Sequence, residues 1–455
     1  MTDRARKPEP KPAKPPVPEV PPRLRALEAF PVDMDGQRAV CLKDPGGFAD
    51  KIVILPLGVF FLATLFDGRR TIVDIQGEFA RRTNEMVLRE QVEEIVRVLD
   101  ENLFLDGPRY EAARLKVVDD FVAAPVRRAA HAGGAYPSEP AALRSFLDAL
   151  LAGRPPDELA RAYAGASRTI APSSRPASSP AALSALIAPH IDFRRGHGAY
   201  AEAYRALAKA PPADLYVIFG TAHQGGGDPD LPFIFTRKAF ETPLGRAETD
   251  AAFVDRVEAR LGGRRLTTGE ISHRTEHSVE FQVVCLQHLR GARDDQAAPV
   301  RVVPFICGSL HGFTQTGRSP AADATVRRFL DSLRATVDEE LDRGRRVCLV
   351  AGADLAHIGT KFGDPTAATP ERCAACERKD LESLERAAEV DGEGFFAAIA
   401  AEKDARNICG LSCIYAMLKT LDGRPLKGDL LAYGQAPDPA GGSVVSFASV
   451  GYLGA

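Results

Sequence analysis

The chain has 455 residues, of which 45% are hydrophobic and 26% are charged, and its formal net charge at pH 7 is -3. This length and composition predict a globular protein with two or more cores and exclude a fibrous or wholly disordered chain. The small net charge disfavours nucleic acid and an anionic membrane as partners. The most apolar run, residues 52–66, is interrupted by Pro56 and Gly58 and is too short to span a bilayer. The N-terminus lacks the apolar stretch of a secretory signal, so the cytoplasm is the expected compartment.

The N-terminal region predicts a tail followed by a small module. Residues 1–22 hold eight prolines among lysines and glutamates, which predicts a disordered or extended tail. Residues 23–107 predict a compact α+β module. Within it, Thr71 and Asp74 form a capping-box pattern that opens one helix, and an apolar stripe from Leu88 predicts a second helix.

Two phrases of this module are "LFDGRRTIVDI" at 65–75 and "LDENLFLDG" at 99–107. They resemble PqqD-like peptide-recognition domains, which implies a winged-helix-like fold. No basic helix is present in the segment, so a peptide or protein partner is favoured over DNA. A plain docking or dimerisation role is the alternative.

The rest of the chain predicts a connecting helix over residues 108–124 and a second domain over residues 125–455. In this domain short β-type runs alternate with longer helical stretches, which predicts a layered α/β fold. The Ser/Pro/Ala-rich stretch at 165–182 predicts a flexible loop. The strand candidates include "ALIA", "DLYVIFG", "FIFT", "VRVVPFI", "RVCLVAGA" and "VVSFASVGYL". The helix candidates include "GAYAEAYRALAKA", "TDAAFVDRVEARL", "SVEFQVVCLQHLR" and "TVRRFLDSLRATVDEELDRG".

Three of the predicted strands are followed by polar side chains that can hold a metal or a proton. These side chains are His190 and Asp192, Thr221 and His223, and Asp354 and His357. In open α/β sheets the ligand crevice lies outside the carboxyl ends of the strands, so the three groups can face one cavity. Two imidazoles with a carboxylate or thiolate suit non-haem iron, zinc or copper. Each histidine alone could equally be a structural hydrogen-bonding group, and the shared strand-end position favours a functional site.

Two further segments can reach the same crevice. Glu276, His277 and Glu280 surround the start of a predicted helix, where acidic groups could simply be dipole partners. His277 is alternatively an acid/base group aimed at the crevice. Cys409 precedes Gly410 and a helix, a position where a thiol is easily deprotonated and can be a soft ligand or nucleophile. The alternative is a small buried residue.

The eight cysteines are scattered, which predicts free thiols in a reducing compartment. Cys373 and Cys376 have the spacing of a zinc knuckle or redox motif. No second pair follows at the distance that a four-ligand zinc site requires, so a structural metal is not expected there.

Nine phrases of the second domain, taken in order, resemble one family. They are "HAGGAYP" (131–137), "IAPHIDF" (187–193), "FGTAHQ" (219–224), "TPLG" (242–245), "EHSVEFQ" (276–282), "GADLAHIG" (352–359), "NICGLSCI" (407–414), "LAYGQAPD" (431–438) and "VVSFASVGY" (444–452). Together they resemble the Memo family, also called AmmeMemoRadiSam system protein B, over about residues 125–455.

This resemblance implies a three-layer α/β sandwich around a central mixed sheet, related to the LigB-type class III extradiol dioxygenases that use non-haem Fe(II). It implies His190, His223 and Cys409 as metal ligands and Asp354 and His357 as pocket residues. An iron or copper ion is the expected cofactor. AMMECR-type and radical SAM proteins are the expected partners.

Phe193 and Ala353 stand where the family's phrases have tyrosine and serine. Asp192 and Gln224 stand where the family has glycine and histidine. With Glu276 they are expected to line the substrate pocket, and Asp192 could be a ligand or could orient His190. The first hypothesis is a metal-dependent redox enzyme in which Asp354, His357 and His277 are acid/base or substrate-orienting groups. The alternatives are a non-catalytic, metal-containing module that binds a peptide or protein, and a zinc-dependent hydrolase.

Overall fold

The structure is a computed structural model that describes residues 16–34, 36–49, 51–170, 183–228, 230–293 and 299–453. The chain divides into two compact units, residues 1–120 and 121–455. The sequence places the boundary a few residues later, between the connecting helix and residue 125. Each unit has its own core and is described by itself.

The N-terminal unit contains an antiparallel sheet of order β1-β2-β3 and three helices that follow it. Its elements are β1 (Glu28–Met34), β2 (Gln37–Lys43), β3 (Val53–Pro56), α1 (Leu57–Thr64), α2 (Ile72–Thr83) and α3 (Arg89–Glu101). The two predicted helices are α2 and α3, and the capping box of Thr71 and Asp74 is present at α2. Helix α1 is an addition to the prediction, because its apolar residues show no amphipathic period.

Residues from all three helices and the sheet share one apolar core, which includes Leu42, Leu62, Ile75 and Leu99. Within the stretch predicted as a disordered or extended tail, the carbonyl of Glu19 accepts the amide of Ile72 at 2.9 Å. The remainder of that tail, residues 1–15, lies outside the described residues. The winged-helix and PqqD-like interpretations of this unit stay predictions.

Helix α4 (Pro108–Ala123) coincides with the predicted connecting helix and leads into the second unit. The further elements are β4 (Val126–Arg128), α5 (Pro140–Leu151), β5 (Ser167–Thr169), β6 (Leu183–Ala188), α6 (Phe193–Lys209), β7 (Leu215–Thr221), β8 (Phe233–Phe235), β9 (Ala239–Thr242), β10 (Gly245–Thr249), α7 (Ala251–Arg260), α8 (His277–Arg293), β11 (Arg301–Cys307), α9 (His311–Thr316), α10 (Ala324–Asp342), β12 (Val347–Gly352), β13 (Asp354–Gly359), α11 (Pro370–Ala388), α12 (Gly392–Ala400), α13 (Leu411–Leu421), β14 (Asp429–Pro437) and β15 (Ser443–Tyr452).

One mixed sheet of twelve strands forms the centre of this unit. Its order is β4-β9-β10-β11-β7-β12-β6-β15-β14-β5, with β13 paired to β15 and β8 paired to β11. Strands β11, β7, β12 and β6 are mutually parallel. Strand β15 pairs antiparallel with β6, and β14 pairs antiparallel with β15. All six strand candidates and all four helix candidates named above are elements of the structure.

Helices cover both faces of the sheet, which gives the predicted three-layer sandwich. Strand β7 shows why: Val217 and Phe219 belong to one apolar cluster, which includes helices α7, α10 and α13. The intervening Ile218 belongs to a second cluster, which includes helices α5, α6 and α8. Alternate side chains of a strand point to opposite faces, so each buried strand contributes to both cores.

The predicted loop at 165–182 begins later than expected. Ser167–Thr169 forms β5, an edge strand that pairs with β14, and residues 171–182 lie outside the described residues. Across the described ranges, none of the helices combines the length and apolarity that a membrane crossing requires.

Candidate metal centre

Three imidazoles meet at one edge of the large sheet. His190, His223 and His277 each offer one ligand atom, and these atoms all lie within 4.8 Å of one another. The ring centroids of His223 and His277 are stacked 4.6 Å apart, and the ring of His190 lies 5.0 Å from His223 and 5.2 Å from His277. His190 is buried, whereas His223 and His277 are about one-third exposed, at 31% and 29%. The cluster is therefore open on one side.

The sheet order explains why these residues meet. His190 follows β6 and His223 follows β7, and both strands run parallel to β12, which lies between them. Strands two apart in a sheet are separated by about 10 Å, so side chains that lean inwards from their carboxyl ends can converge above the middle strand. His277 is the first residue of α8, which packs against β7 and β12 from one face.

Hydrogen bonds at Nδ1 fix the orientation of two rings. Nδ1 of His190 lies 2.8 Å from the carbonyl oxygen of Gly352, and Nδ1 of His223 lies 3.0 Å from both carboxylate oxygens of Glu276. An oxygen acceptor at Nδ1 selects the tautomer with its proton there, so Nε2 presents a lone pair. Both rings are thus oriented with Nδ1 engaged, which leaves Nε2 as the atom that can bind a metal.

Glu276 lies beneath the cluster and is not exposed to the crevice. Its side chain is 1% exposed. It accepts hydrogen bonds from the amide of His223 at 3.1 Å and the amide of Ser278 at 2.9 Å, besides the contact with the His223 ring. The carboxylate of Glu276 is therefore placed to orient His223, and its expected role in lining a substrate pocket stays a prediction.

The opposite charges of Glu276 and protonated His223 stabilise each other. Burial alone raises the pKa of Glu276, but the charge and hydrogen bond of His223 outweigh burial and lower that pKa overall. Burial lowers the pKa of His223, and the charge of Glu276 more than reverses this effect. A carboxylate that stays ionised in a buried position can offset part of the charge of a bound cation.

Cys409 and Asp354 lie on the other side of His190. Sγ of Cys409 is 3.3 Å from Nε2 of His190, and Oδ2 of Asp354 is 3.6 Å from the same nitrogen. Oδ1 of Asp354 also accepts the backbone amide of His190 at 2.9 Å. The structure therefore places Cys409 beside one predicted ligand, and His277 completes the three-histidine group.

Burial sets the protonation of this side of the site. It raises the pKa of Cys409 well above that of an ordinary thiol, so the metal-free protein holds a thiol that can donate to His190. The expectation of an easily deprotonated thiol is therefore wrong for this state, because burial and the nearby charge of Asp354 outweigh the position before a helix. Burial lowers the pKa of His190 to about 3 and raises the pKa of Asp354 to about 6.

The remaining predicted site residues take different places. Burial lowers the pKa of His357, whose Nδ1 is 3.1 Å from the carbonyl oxygen of Leu355, which favours a neutral ring. Asp192 caps α6 by accepting the amide of Arg194 at 2.9 Å, so its carboxylate serves a helix terminus. Gln224 is exposed in the loop after His223.

The donor set fits a transition metal. Imidazole nitrogens suit zinc, copper and iron, and a neighbouring thiol adds a softer ligand. The sequence predicts His277 as an acid/base group, whereas the structure places it among the possible ligands. A sequence does not show how close the start of a helix comes to the end of a strand. Glu276, an acid immediately before the helix, is the signal that could have identified the orienting carboxylate.

All eight cysteines are free thiols, as predicted. Cys376 is buried and donates to Asp380 at 3.6 Å, while Cys373 is half-buried on the same helix, α11. In the part of the chain that the structure describes, the three-histidine group is the one set of three or more ligating side chains that meets.

Fold and site together define a three-layer α/β protein in which two imidazoles after parallel strands and one at the start of a helix could hold a metal ion. The sequence profile of a family described as Memo-like protein matches residues 127–454, and the chain belongs to this family.

Relatives named as MEMO1 family proteins are found in bacteria and archaea. The protein of Aquifex aeolicus is 25% identical over 430 residues, which cover 94% of this chain and 99% of the relative. The protein of Thermus thermophilus is 27% identical over 80% of this chain and 93% of the relative, and that of Methanococcoides burtonii is 30% identical over 55% and 78%. The first alignment is longer than the second unit, so that similarity extends into the N-terminal unit.

Proposed function

We propose that this Memo-like protein is a metal-dependent redox protein that holds a non-haem iron or copper ion in the crevice. The observation that carries the proposal is the meeting of three imidazoles within 4.8 Å, with the thiol of Cys409 at 3.3 Å from one of them. His190 and His223 would hold the ion, with His277 and Cys409 as the further donors. A bound iron or copper ion would supply one-electron chemistry at this site.

The protein's own groups prepare the site for a cation. Oxygen acceptors at Nδ1 orient the rings of His190 and His223, and Glu276 contributes a fixed negative charge beside them. Cys409 keeps its proton while the site is free, so binding through sulfur releases a proton. Metal affinity should accordingly increase with pH.

Asp354 and His357 are the candidates for proton transfer. Burial raises the pKa of Asp354 to about 6, near the neutral range in which a general acid or base works best. Asp354 lies 3.6 Å from Nε2 of His190, so its proton can reach the groups around the ion. His357 is held neutral by burial and adds a second acceptor on the same strand, β13.

Zinc-dependent hydrolysis is the second candidate, because three histidines with one open side is also the arrangement of catalytic zinc sites. In that case His190, His223 and His277 would hold the ion without Cys409. A non-catalytic binding module is the third candidate. Metal identity separates the first two, since zinc has no redox chemistry.

The test is metal analysis of protein purified without oxygen. We expect iron or copper near one ion per chain in the parent protein, and a severe loss in His223→Ala and His277→Ala. Cys409→Ser distinguishes the candidates, because its loss of metal supports the redox site and its full retention of tightly held zinc supports the hydrolase. His288→Gln is the matched control, since His288 lies outside the cluster. Unchanged metal content in both histidine variants would contradict the site.

The partners stay predictions. AMMECR-type and radical SAM proteins are expected from the family resemblance, and a peptide or protein is expected at the N-terminal unit. That unit has an apolar groove of about 330 Å³ lined by residues of α1, α2 and α3, among them Val59, Phe79 and Ile95. Co-purification of the full chain with each candidate protein, compared with residues 121–455 alone, tests the expectation.

A further inference from the structure

The segment that leads from helix α12 to Cys409 has an unusual backbone. Lys403, Asp404 and Asn407 have φ of 52°, 53° and 51°, although none of them is glycine. Aspartate and asparagine adopt this left-handed conformation more readily than most residues, but three such residues within 403–407 still store strain. Strain of this kind persists only where surrounding contacts determine the backbone, so those contacts show what holds Cys409 in place.

The end of the segment lies against strand β13. The amide of Cys409 donates to the carbonyl oxygen of Leu355 at 3.3 Å, and the amide of Gly410 donates to that of Asp354 at 3.0 Å. A Cβ atom at Gly410 would lie 2.4 Å from the same oxygen of Asp354, so this close approach requires glycine. These contacts place the backbone of Cys409 beside β13.

Asp404 holds the earlier part of the segment from a buried position. Its side chain is 3% exposed, and Oδ1 accepts the amide of Ile408, the residue before Cys409, at 2.9 Å. Oδ2 accepts the Nδ1–H of His311, the first residue of α9. A single carboxylate therefore joins the residue before Cys409 to a helix that is distant in sequence.

Helix α9 connects this carboxylate to the strands that lead to the imidazoles. It follows β11, which pairs in parallel with β7, and β7 leads into His223. Gln315 of α9 also donates from its side chain to the carbonyl oxygen of Lys403 at 3.0 Å. The segment before Cys409 is therefore attached to the part of the sheet from which His223 follows.

We propose that Asp404 and His311 are positioning residues that fix the location of the Cys409 sulfur in the crevice. Sγ of Cys409 is 3.3 Å from Nε2 of His190, so a shift of the segment by about 1 Å would break this contact. Both residues act through the segment and not as ligands. The importance of this placement for metal binding rests on the proposed function, in which Cys409 is a donor to the ion, whereas the placement itself can be measured without an ion.

The test is the rate at which iodoacetamide alkylates Cys409 in the full-length protein after treatment with a chelator, followed by peptide mapping. Asp404→Gly removes both acceptors, and glycine adopts the left-handed conformation without a steric penalty. We expect Cys409 to react about 10-fold faster in this variant, which corresponds to local opening that is easier by about 1.4 kcal/mol. His311→Ala should give a smaller increase, because the amide of Ile408 keeps its acceptor.

Lys403→Gly is the matched control. It introduces glycine at the neighbouring position, which has nearly the same φ, and it leaves the carboxylate of Asp404 unchanged. Its Cys409 should react at the parent rate. The buried thiols of Cys285 and Cys348 are internal references, because general unfolding accelerates their alkylation together with that of Cys409, whereas loss of position accelerates Cys409 alone.

Two results would overturn the proposal. One is the parent rate at Cys409 in folded Asp404→Gly, and the other is an equal acceleration at Cys285 and Cys348. Where Asp404→Gly does not fold, His311→Ala decides the outcome, and the parent rate at its Cys409 would overturn the proposal.

Titration of the same proteins with Co²⁺ separates this proposal from the proposed function. We expect a sulfur-to-cobalt absorption band in the parent protein, a weaker band in Asp404→Gly and none in Cys409→Ser. A band that persists in Cys409→Ser would contradict the donor role of Cys409, and the alkylation rates would still decide whether Asp404 and His311 fix its position.

Discussion

Replacing Glu276 by glutamine should weaken metal binding while leaving the fold intact. The carboxylate accepts the ring N–H of His223 at 3.0 Å, the amide of His223 at 3.1 Å and the amide of Ser278 at 2.9 Å. In glutamine one of the two oxygens becomes an NH₂ group, so at least one of these donors faces another donor. The ring of His223 then faces a neutral amide in place of a carboxylate, so the group behind Nδ1 orients the ring less firmly and raises its basicity less.

Two magnitudes follow from this geometry. Loss of an orienting group behind a metal-binding histidine typically reduces metal affinity by about 10- to 100-fold, which corresponds to about 1.4–2.7 kcal/mol. A buried donor left without an acceptor costs about 1–3 kcal/mol of folding free energy. We therefore expect Glu276→Gln to bind metal more weakly and to unfold more easily, yet to remain folded at room temperature.

The assay is a competition titration of Zn²⁺ between the protein and a chromophoric chelator, because zinc reports on the ligands without redox reactions. Urea unfolding of the same metal-free samples gives the change in stability. Asp192→Asn is the matched control, since asparagine caps a helix as well as aspartate does and the carboxylate of Asp192 accepts the amide of Arg194 at the start of α6. A folded Glu276→Gln protein with the zinc affinity of the parent would refute the role of Glu276.

Three further predictions concern stability. Glu280→Ala should lower the free energy of unfolding by about 3–5 kcal/mol, because it leaves the buried guanidinium of Arg127 unpaired; a loss below 1 kcal/mol in urea unfolding would contradict this. Burial lowers the pKa of His273 to about 4. The neutral ring therefore contributes fully to the free energy of unfolding above pH 6.5, and this contribution falls by about 3 kcal/mol as the pH drops to 4. His273→Gln should flatten that acid-side loss by about the same amount, and an unchanged pH dependence would refute it. Thr71→Ala should remove the cap of α2 and cost about 1 kcal/mol, seen as faster amide exchange in that helix; exchange at the parent rate would speak against the capping role.

The sequence predicts well those elements whose apolar residues follow one clear pattern. The runs that became β6, β7, β11 and β12 are short and almost wholly apolar, which is the pattern of strands covered on both faces. Strands β9 and β10 were not predicted, since they are four and five residues long and are rich in polar groups. Helix α1 was not predicted either, because it is apolar all round and lacks an amphipathic period.

The site was predictable to the extent that it depends on strand ends. His190 and His223 follow parallel strands directly, so a general rule about sheets brings them together. His277 and Glu276 depend on how α8 lies against the sheet, which requires the packing of side chains from distant segments. Asp192 shows where the strand-end rule predicts too much. It follows a strand but precedes a helix, and an acid before a helix serves as a cap more often than as a ligand.

Successive side chains of β7 enter two different apolar cores, which limits how the number of residues in this strand can change. A single inserted residue within the strand would exchange the sides of Ile218 and Phe219 and turn His223 away from its neighbours. An insertion after Gln224, in a turn that is exposed, would leave that alternation untouched. Insertions and deletions in this region that preserve function should therefore lie after Gln224. The number of residues from Leu215 to His223 should not change.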